Sequence, residues 1–292
     1  MNNIKISHEV PICLLEESKK FNDYDYVIAS HVKKYPVYKS FYLQCKKEGR
    51  YMIMDNGLFE DGVPMSDDEY FEIVKEFEPN EFIIPDYWND TDGTIESIKR
   101  WNKDYLPKLD KKSDLQFRTI GVVQGGDVDS ATECYMVLRT KVDKIAFNYL
   151  GNFYNDVKVS YNEIDSLVDL SSLENDLGIK YLFRLLARKN FIDDLLEYRL
   201  FDITKPHHLL GCISPIEFTL YNNSDYAFIQ SLDTSHPIIT SIQGRNYKSI
   251  SALLSKSDLK IDSVITTDFS ETYNIYFHLK DNIEHIRNLV NG

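Results

Sequence analysis

The chain has 292 residues, enough for two small domains or one barrel. Hydrophobic residues make up 43% and aromatic residues 13%, which excludes a disordered chain because that much apolar area drives burial. The formal net charge of −13 argues against a broad basic surface for nucleic acid and leaves only a local basic patch open.

No apolar run reaches the ~20 residues of a bilayer span. The opening Met-Asn-Asn-Ile-Lys-Ile-Ser-His lacks the apolar stretch of a signal peptide. A cytoplasmic protein without membrane contact is expected. The cysteines stand at 13, 45, 134 and 212, and the nearest two are 32 apart (45 − 13). Structural zinc sites use ligands a few residues apart, so no metal and no cofactor is expected.

The elements follow in chain order. Apolar runs predict strands over residues 10–14, 26–30 and 51–54. A helix is predicted over 66–77, because Ser66 and Glu69 have capping-box spacing and Tyr70, Phe71, Val74 and Phe77 recur at helical intervals. Then come a strand over 81–85, a helix over 94–105, a strand over 119–124 and a helix over 129–141. A strand over 144–149, a helix over 179–200 and strands over 208–213 and 227–232 complete the series. Most of the strands are rich in Ile, Val and Phe and apolar on both faces, as buried parallel strands are. Eight strands alternating with helices predict an α/β fold, a (β/α)8 TIM barrel. It forms one domain over 1–292, with the barrel over about 10–245. An insertion with extra helices is expected over about 152–205, between strands six and seven. A closing helix and short appendage fill about 246–292.

Active sites of such barrels lie at the carboxyl ends of the strands. Strand three ends in Asp55-Asn56-Gly57, strand four in Asp86, strand five in Gln124-Gly125-Gly126. Strand six ends in Leu150-Gly151-Asn152, strand seven in Gly211-Cys212, and strand eight in Asp233-Thr234-Ser235-His236. Singly, Asp55 could form a turn and Asp233 could cap a helix. Together, three carboxylates and a carboxamide at strand ends point to a site. Two carboxylates suit glycosyl chemistry, one attacking the anomeric carbon and the other moving the leaving group's proton. A glutamine and a further aspartate can read a heterocycle's edge, and paired glycines let backbone approach a flat ligand.

These residues resemble the tRNA-guanine transglycosylase family of queuine/archaeosine type. Gly121-Val-Val-Gln124-Gly125-Gly126 is similar to that family's Gly-Ile-Val-Gln-Gly-Gly strand, and Asp55-Asn56-Gly57-Leu58-Phe59 to its Asp-Ser-Gly-Gly-Phe run. Leu210-Gly211-Cys-Ile-Ser-Pro215 resembles its Met-Gly-Val-Gly-x-Pro stretch, and the order holds from about residue 50 to 240. The resemblance implies a TIM barrel that exchanges guanine for a 7-deazaguanine. Asp233 would be the nucleophile and Asp55 the general acid/base. Asp86, Gln124, Gly125, Gly151, Gly211 and His236 would bind substrate. The family's cysteine-rich zinc site is missing, its Gly-Gly on strand six is here Leu150-Gly151, and no RNA-binding tail follows. The chain thus resembles the trimmed, divergent members from phages and DNA-modification clusters, which implies DNA as the favoured polymer and tRNA as the alternative. For a phage-encoded enzyme the compartment would be the host cytoplasm. The oligomeric state is left open.

Two rivals stand beside this reading. One is an N-glycosidase or base-exchange enzyme acting on a free nucleoside or nucleotide, which the −13 charge suits. The other is a catalytically silent barrel that binds a nucleobase. Among lesser candidates, His236 could bind phosphate or orient a carboxylate. His31 ends strand two at the active face, and Tyr87 or Trp88 could stack on a base. His207-His208, just before strand seven, reads as structural. Lys33, Lys34, Lys46, Lys47 and Arg50 form the expected basic patch on the active face, while the Lys108-Lys111-Lys112 run reads as a solvated face.

Overall fold

The computed structural model describes residues 4–109, 117–168, 176–212, 214–254, 259–269 and 273–291. Ile213 of the seventh predicted strand, and Lys111 and Lys112 of one basic run, lie outside the described residues. In chain order the elements are β1 (Lys5–Ser7), α1 (Leu15–Ser18), β2 (Asp25–Ile28), α2 (Ala29–Lys34), α3 (Pro36–Lys47), β3 (Met52–Asp55), α4 (Leu58–Asp61), α5 (Asp67–Phe77) and β4 (Glu81–Ile83). There follow α6 (Thr91–Arg100), β5 (Arg118–Val123), α7 (Val128–Lys141), β6 (Lys144–Asn148), α8 (Tyr161–Leu167), α9 (Asp176–Glu197), β7 (His207–Leu210) and β8 (Ile229–Asp233). Helices α10 (His236–Ile242), α11 (Ile250–Leu254), α12 (Ile261–Val264) and α13 (Tyr273–Asn291) end the chain.

The eight strands are parallel and run in the order β1-β8-β7-β6-β5-β4-β3-β2, with helices on the connections. This is the α/β, (β/α)8 TIM-barrel class that the alternation predicts. The first strand is a correction. Residues 10–14 are apolar but not extended, since Ile12–Leu14 form a 3-10 turn behind Pro11. Proline has no N–H for a ladder, and its φ of −62° suits a turn entry. β1 is instead Lys5–Ser7, a run too short for periodicity to reveal. β7 starts at His207, one residue before the predicted strand, so both histidines lie within it. β8 runs on to Asp233.

By its internal packing the chain divides into two compact units. One comprises residues 23–153 and 202–208. In it β2 and β6 are buried at every position, which explains why they read as unbroken apolar runs. Tyr70 of α5, Phe82 of β4 and Trp101 pack together with ring centroids 5.5–6.4 Å apart, Tyr70 and Phe82 edge to face and both tilted against Trp101. Asp127 caps α7 in a reciprocal box with Ser130, and Asp90 caps α6 through the Gly93 N–H. The helix predicted over 94–105 therefore starts earlier, and its last turn, Trp101–Tyr105, widens into a π-turn. The box expected at α5 does not form. Ser66 makes no side-chain cap bond, and the Glu69 carboxylate lies 2.5 Å from Lys33 Nζ instead.

The other unit comprises residues 1–22, 154–201 and 209–292. Its ladder pairs Lys5 with Ser231, Ile6 with Leu232 and Ser7 with Asp233. The expected extra helices within 152–205 are α8 and α9. Ile164, Leu182, Leu185, Leu186 and Leu254 pack there as one apolar cluster. α11, α12 and α13 occupy the segment expected as closing helix and appendage. Among the described residues, no helix is long and apolar enough to cross a membrane.

Candidate functional site

In the first unit the carboxyl ends of three neighbouring strands carry one hydrogen-bonded set. Asp55 is the last residue of β3. Its Oδ1 accepts the Gly57 N–H at 2.6 Å, an Asx turn, and its Oδ2 accepts the Tyr26 hydroxyl at 2.6 Å. Gly57 sits at φ 81°, and a Cβ there would come within 2.8 Å of Ser30 Oγ, so only glycine fits the turn. The turn sends the next side chain, Asn56, across to β4. Its Nδ2 donates to Asp86 Oδ1 at 2.8 Å while its Oδ1 accepts the Leu58 N–H at 2.9 Å. From β5, Gln124 Nε2 donates to Asp86 Oδ2 at 2.6 Å.

Asp86 is 4% exposed and held by two amides rather than a cation. Burial pushes its carboxyl up to about 6, the amide donors pull it back, and the nearby Asp55 charge adds to the rise. A carboxyl tuned this way exchanges a proton near neutral pH and keeps lone pairs for a ligand N–H. Gln124 differs from expectation in one respect. Its Oε1 accepts the Asn89 N–H at 3.0 Å, so both ends of its amide are engaged within the protein. It aims Asp86 and anchors the loop at Asn89, whose backbone is left-handed at φ 54°. Asn89 Oδ1 in turn accepts the Asn152 N–H at 2.8 Å. Phe59 and Tyr149, both half-buried, meet with ring centroids 6.1 Å apart and offer apolar flat surface.

Two of the glycines expected at the ligand, Gly125 and Gly151, lie close against neighbouring protein atoms. A Cβ on Gly125 would lie 2.5 Å from the Ala131 nitrogen, so the close approach is that of α7. On Gly151 it would lie 2.3 Å from Phe153 Cε1.

In the second unit Asp233 closes β8 and is 3% exposed. Its Oδ1 accepts the Gly211 N–H at 3.1 Å, and Gly211 follows β7 at φ 69°. Ser7 is the register partner of Asp233, and the neighbouring His8 places Nδ1 3.2 Å from the Thr234 carbonyl oxygen. His236 opens α10, but its ring turns into a buried polar cluster, with Nδ1 2.6 Å from the Tyr247 hydroxyl and 3.2 Å from Thr240 Oγ1.

The remaining candidates also have definite places. His207, Tyr135 and Phe147 form a cluster of near-parallel rings with centroids 5.7–6.0 Å apart, and His207 Nε2 lies 3.2 Å from the Tyr135 hydroxyl. Burial lowers its pKa to about 3, which fits the structural reading. His208 stacks on Tyr26, the ring that donates to Asp55. His31 is buried in α2 against Tyr35 and Tyr38. The expected basic patch is largely neutralised, with Lys33 on Glu69, Lys34 on Asp61, Lys46 on Glu78 and Arg50 on Asp25. Arg50 also corrects its placement on the active face, because Asp25 starts β2 and so marks the amino end of the strands.

The structure thus joins Asp55, Asp86 and Gln124 in one unit and Asp233, Gly211 and His236 in the other. Sequence reasoning gave no role to Tyr26, Asn56, Asn89 or His8. Only Asn56 had a signal, its position inside the Asp-Asn-Gly run. Among the described residues, no three His, Cys, Asp or Glu side chains are grouped to hold a metal ion. Comparison with protein-family models and with curated proteins finds no match to this chain.

Proposed function

We propose that the protein is a base-exchange transglycosylase that replaces guanine in a nucleic acid, DNA in preference to tRNA, with a 7-deazaguanine. The observation that carries this reading is the buried Asn56–Asp86–Gln124 set beside Asp55, at the carboxyl ends of β3, β4 and β5. In such a set the two amides aim the Asp86 carboxyl, whose remaining lone pairs suit the N–H groups of a purine-like edge, and the set neutralises no cation. Asp233, at the carboxyl end of β8, supplies the attacking oxygen. A bond forms from its carboxylate to C1′, the bond from C1′ to N9 breaks, and Asp55 gives the departing guanine its proton. The incoming base then returns a proton to Asp55, its ring nitrogen takes C1′, and Asp233 leaves as carboxylate. Two inversions give net retention. A target within a duplex must first be flipped out.

The paired lysines favour one second reading, exchange on a free nucleoside or nucleotide. With Lys33 on Glu69 and Lys34 on Asp61, the binding of a polymer there releases few counterions. Incubation with radiolabelled guanine and duplex DNA, tRNA or a guanine nucleotide tests both. Label entering DNA or tRNA supports the proposal, and label entering only the nucleotide selects the second reading. Entry into none of the three overturns exchange altogether.

A further inference from the structure

Arg188 of α9 is 1% exposed, in the same unit as Asp233. Its guanidinium uses all three arms. Nε donates to Glu217 Oε1 at 2.6 Å, Nη1 to the Leu210 carbonyl at 3.2 Å and Nη2 to the Gly211 carbonyl at 3.1 Å. The Leu210 carbonyl and the Gly211 N–H are two ends of one peptide group, and that N–H is the donor to Asp233 Oδ1 at 3.1 Å. One flat peptide therefore has a buried cation at its oxygen and the Asp233 carboxylate at its hydrogen.

We propose that Arg188 is a positioning residue for Asp233, acting through the Leu210–Gly211 peptide. This rests on the reading of Asp233 as the nucleophile. A cation on a peptide oxygen polarises the group and strengthens its N–H as a donor. It also fixes the peptide plane, because turning the N–H away from Asp233 would pull the carbonyl off Arg188. Gly211, at φ 69°, allows the second carbonyl to reach the same guanidinium. A buried ion pair is often no more stabilising than a well-packed apolar pair, so stability alone gives little reason for Arg188 and Glu217. Holding two carbonyls in one orientation does require the planar fork.

Labelling with carbonyl-¹³C leucine and ¹⁵N glycine selects the amides of Gly151, Gly178 and Gly211, the Leu–Gly pairs of the sequence. Asp233→Asn weakens the acceptor and identifies the Gly211 resonance by its upfield move. Two proteins are compared with wild type. The double variant Arg188→Met with Glu217→Leu removes both charges together, so neither is left unpaired. Arg188→Lys keeps the charge without the fork. The Gly211 amide proton is expected to move upfield in the double variant and less far in Arg188→Lys. Base exchange should lose about tenfold in kcat with KM unchanged, the scale of one hydrogen bond. A Gly211 proton unmoved in a folded variant overturns the inference, and if the double variant does not fold, Arg188→Lys decides alone. The amide shift needs no turnover, so a wild-type protein that exchanges no base would sink the transglycosylase reading and leave the peptide relay to be judged by the shift.

Discussion

Replacing Asp86 by asparagine separates the electrostatics of the buried carboxyl from its hydrogen bonds. In the fold its pKa is raised from 3.8 to about 6, chiefly by burial. Between those values the folded protein binds more protons than the unfolded chain, so stability falls as pH rises through that window. About two pH units at ~1.4 kcal/mol each make the loss about 3 kcal/mol by neutral pH. Asparagine does not titrate and escapes this loss. It also turns an NH2 toward one of the two donors, Asn56 Nδ2 or Gln124 Nε2, at a pH-independent cost of ~1–3 kcal/mol. Flipping Gln124 does not repair this, because its Oε1 would then leave the Asn89 N–H. The variant should therefore be the less stable protein at about pH 4. It should gain on wild type by about 3 kcal/mol as pH rises, and level off above about pH 7. His207 acts in the opposite sense. Its pKa is lowered to about 3, so it adds stability as pH rises through the acid range. It does so in both proteins and cancels in the difference. Urea unfolding followed by circular dichroism across this pH range gives the two curves. A stability difference that stays flat with pH would refute the account of Asp86.

Other perturbations have equally definite outcomes. Asp233→Asn should abolish exchange and trap no adduct, while Asp55→Asn should slow exchange by ~10²–10⁴ and let a glycosyl adduct build up on a denaturing gel. An adduct in Asp233→Asn would assign the nucleophile to Asp55. Tyr26→Phe removes the hydroxyl on Asp55 Oδ2 and should slow exchange about tenfold, with stability changed by only ~1 kcal/mol. Unchanged kcat would deny Tyr26 that role. Gly125→Ala drives a methyl group into the α7 backbone and should lower stability by ~1–3 kcal/mol, read as an earlier urea midpoint. His207→Phe removes the protonation that destabilises the fold in acid, so its stability relative to wild type should rise as pH falls below about 6.

The barrel was legible because most positions of β2 to β8 are buried, so these strands appear as apolar runs between amphipathic helices. β1 was not legible, since three residues carry too little pattern and the apolar run at 10–14 drew attention away from them. The placement of Asp55, Asp86, Gln124 and Asp233 at strand ends was legible because each closes or follows such a run. Their supports were not. Tyr26 lies mid-strand, and its hydroxyl reaches Asp55 only because β2 and β3 are in the register that pairs Ile28 with Asp55. The capping box at α5 failed for a related reason, since a tertiary partner, Lys33, takes the glutamate that the local pattern assigned to Ser66. Charge clusters misled in the same way, because carboxylates distant in sequence neutralise the lysines.

The order in which strands meet sets the order in which the chain can fold during synthesis. From β2 to β6 each strand pairs with the next one made, as Asp25 does with Met52 and Ile53 with Glu81. Those ladders close short loops and can form while the ribosome is still at work. β1 has a different history. It is made before β2, yet Lys5 pairs with Ser231. At ~5–20 residues per second it waits roughly 10–45 s for its partner, with Ile6 without its place in the sheet. A strand of three residues gives stray chains little edge to extend, which limits aggregation during that interval. Nascent chains stalled before β8 should accordingly resist protease over residues 23–109 and 117–153 and remain cleavable near residue 7.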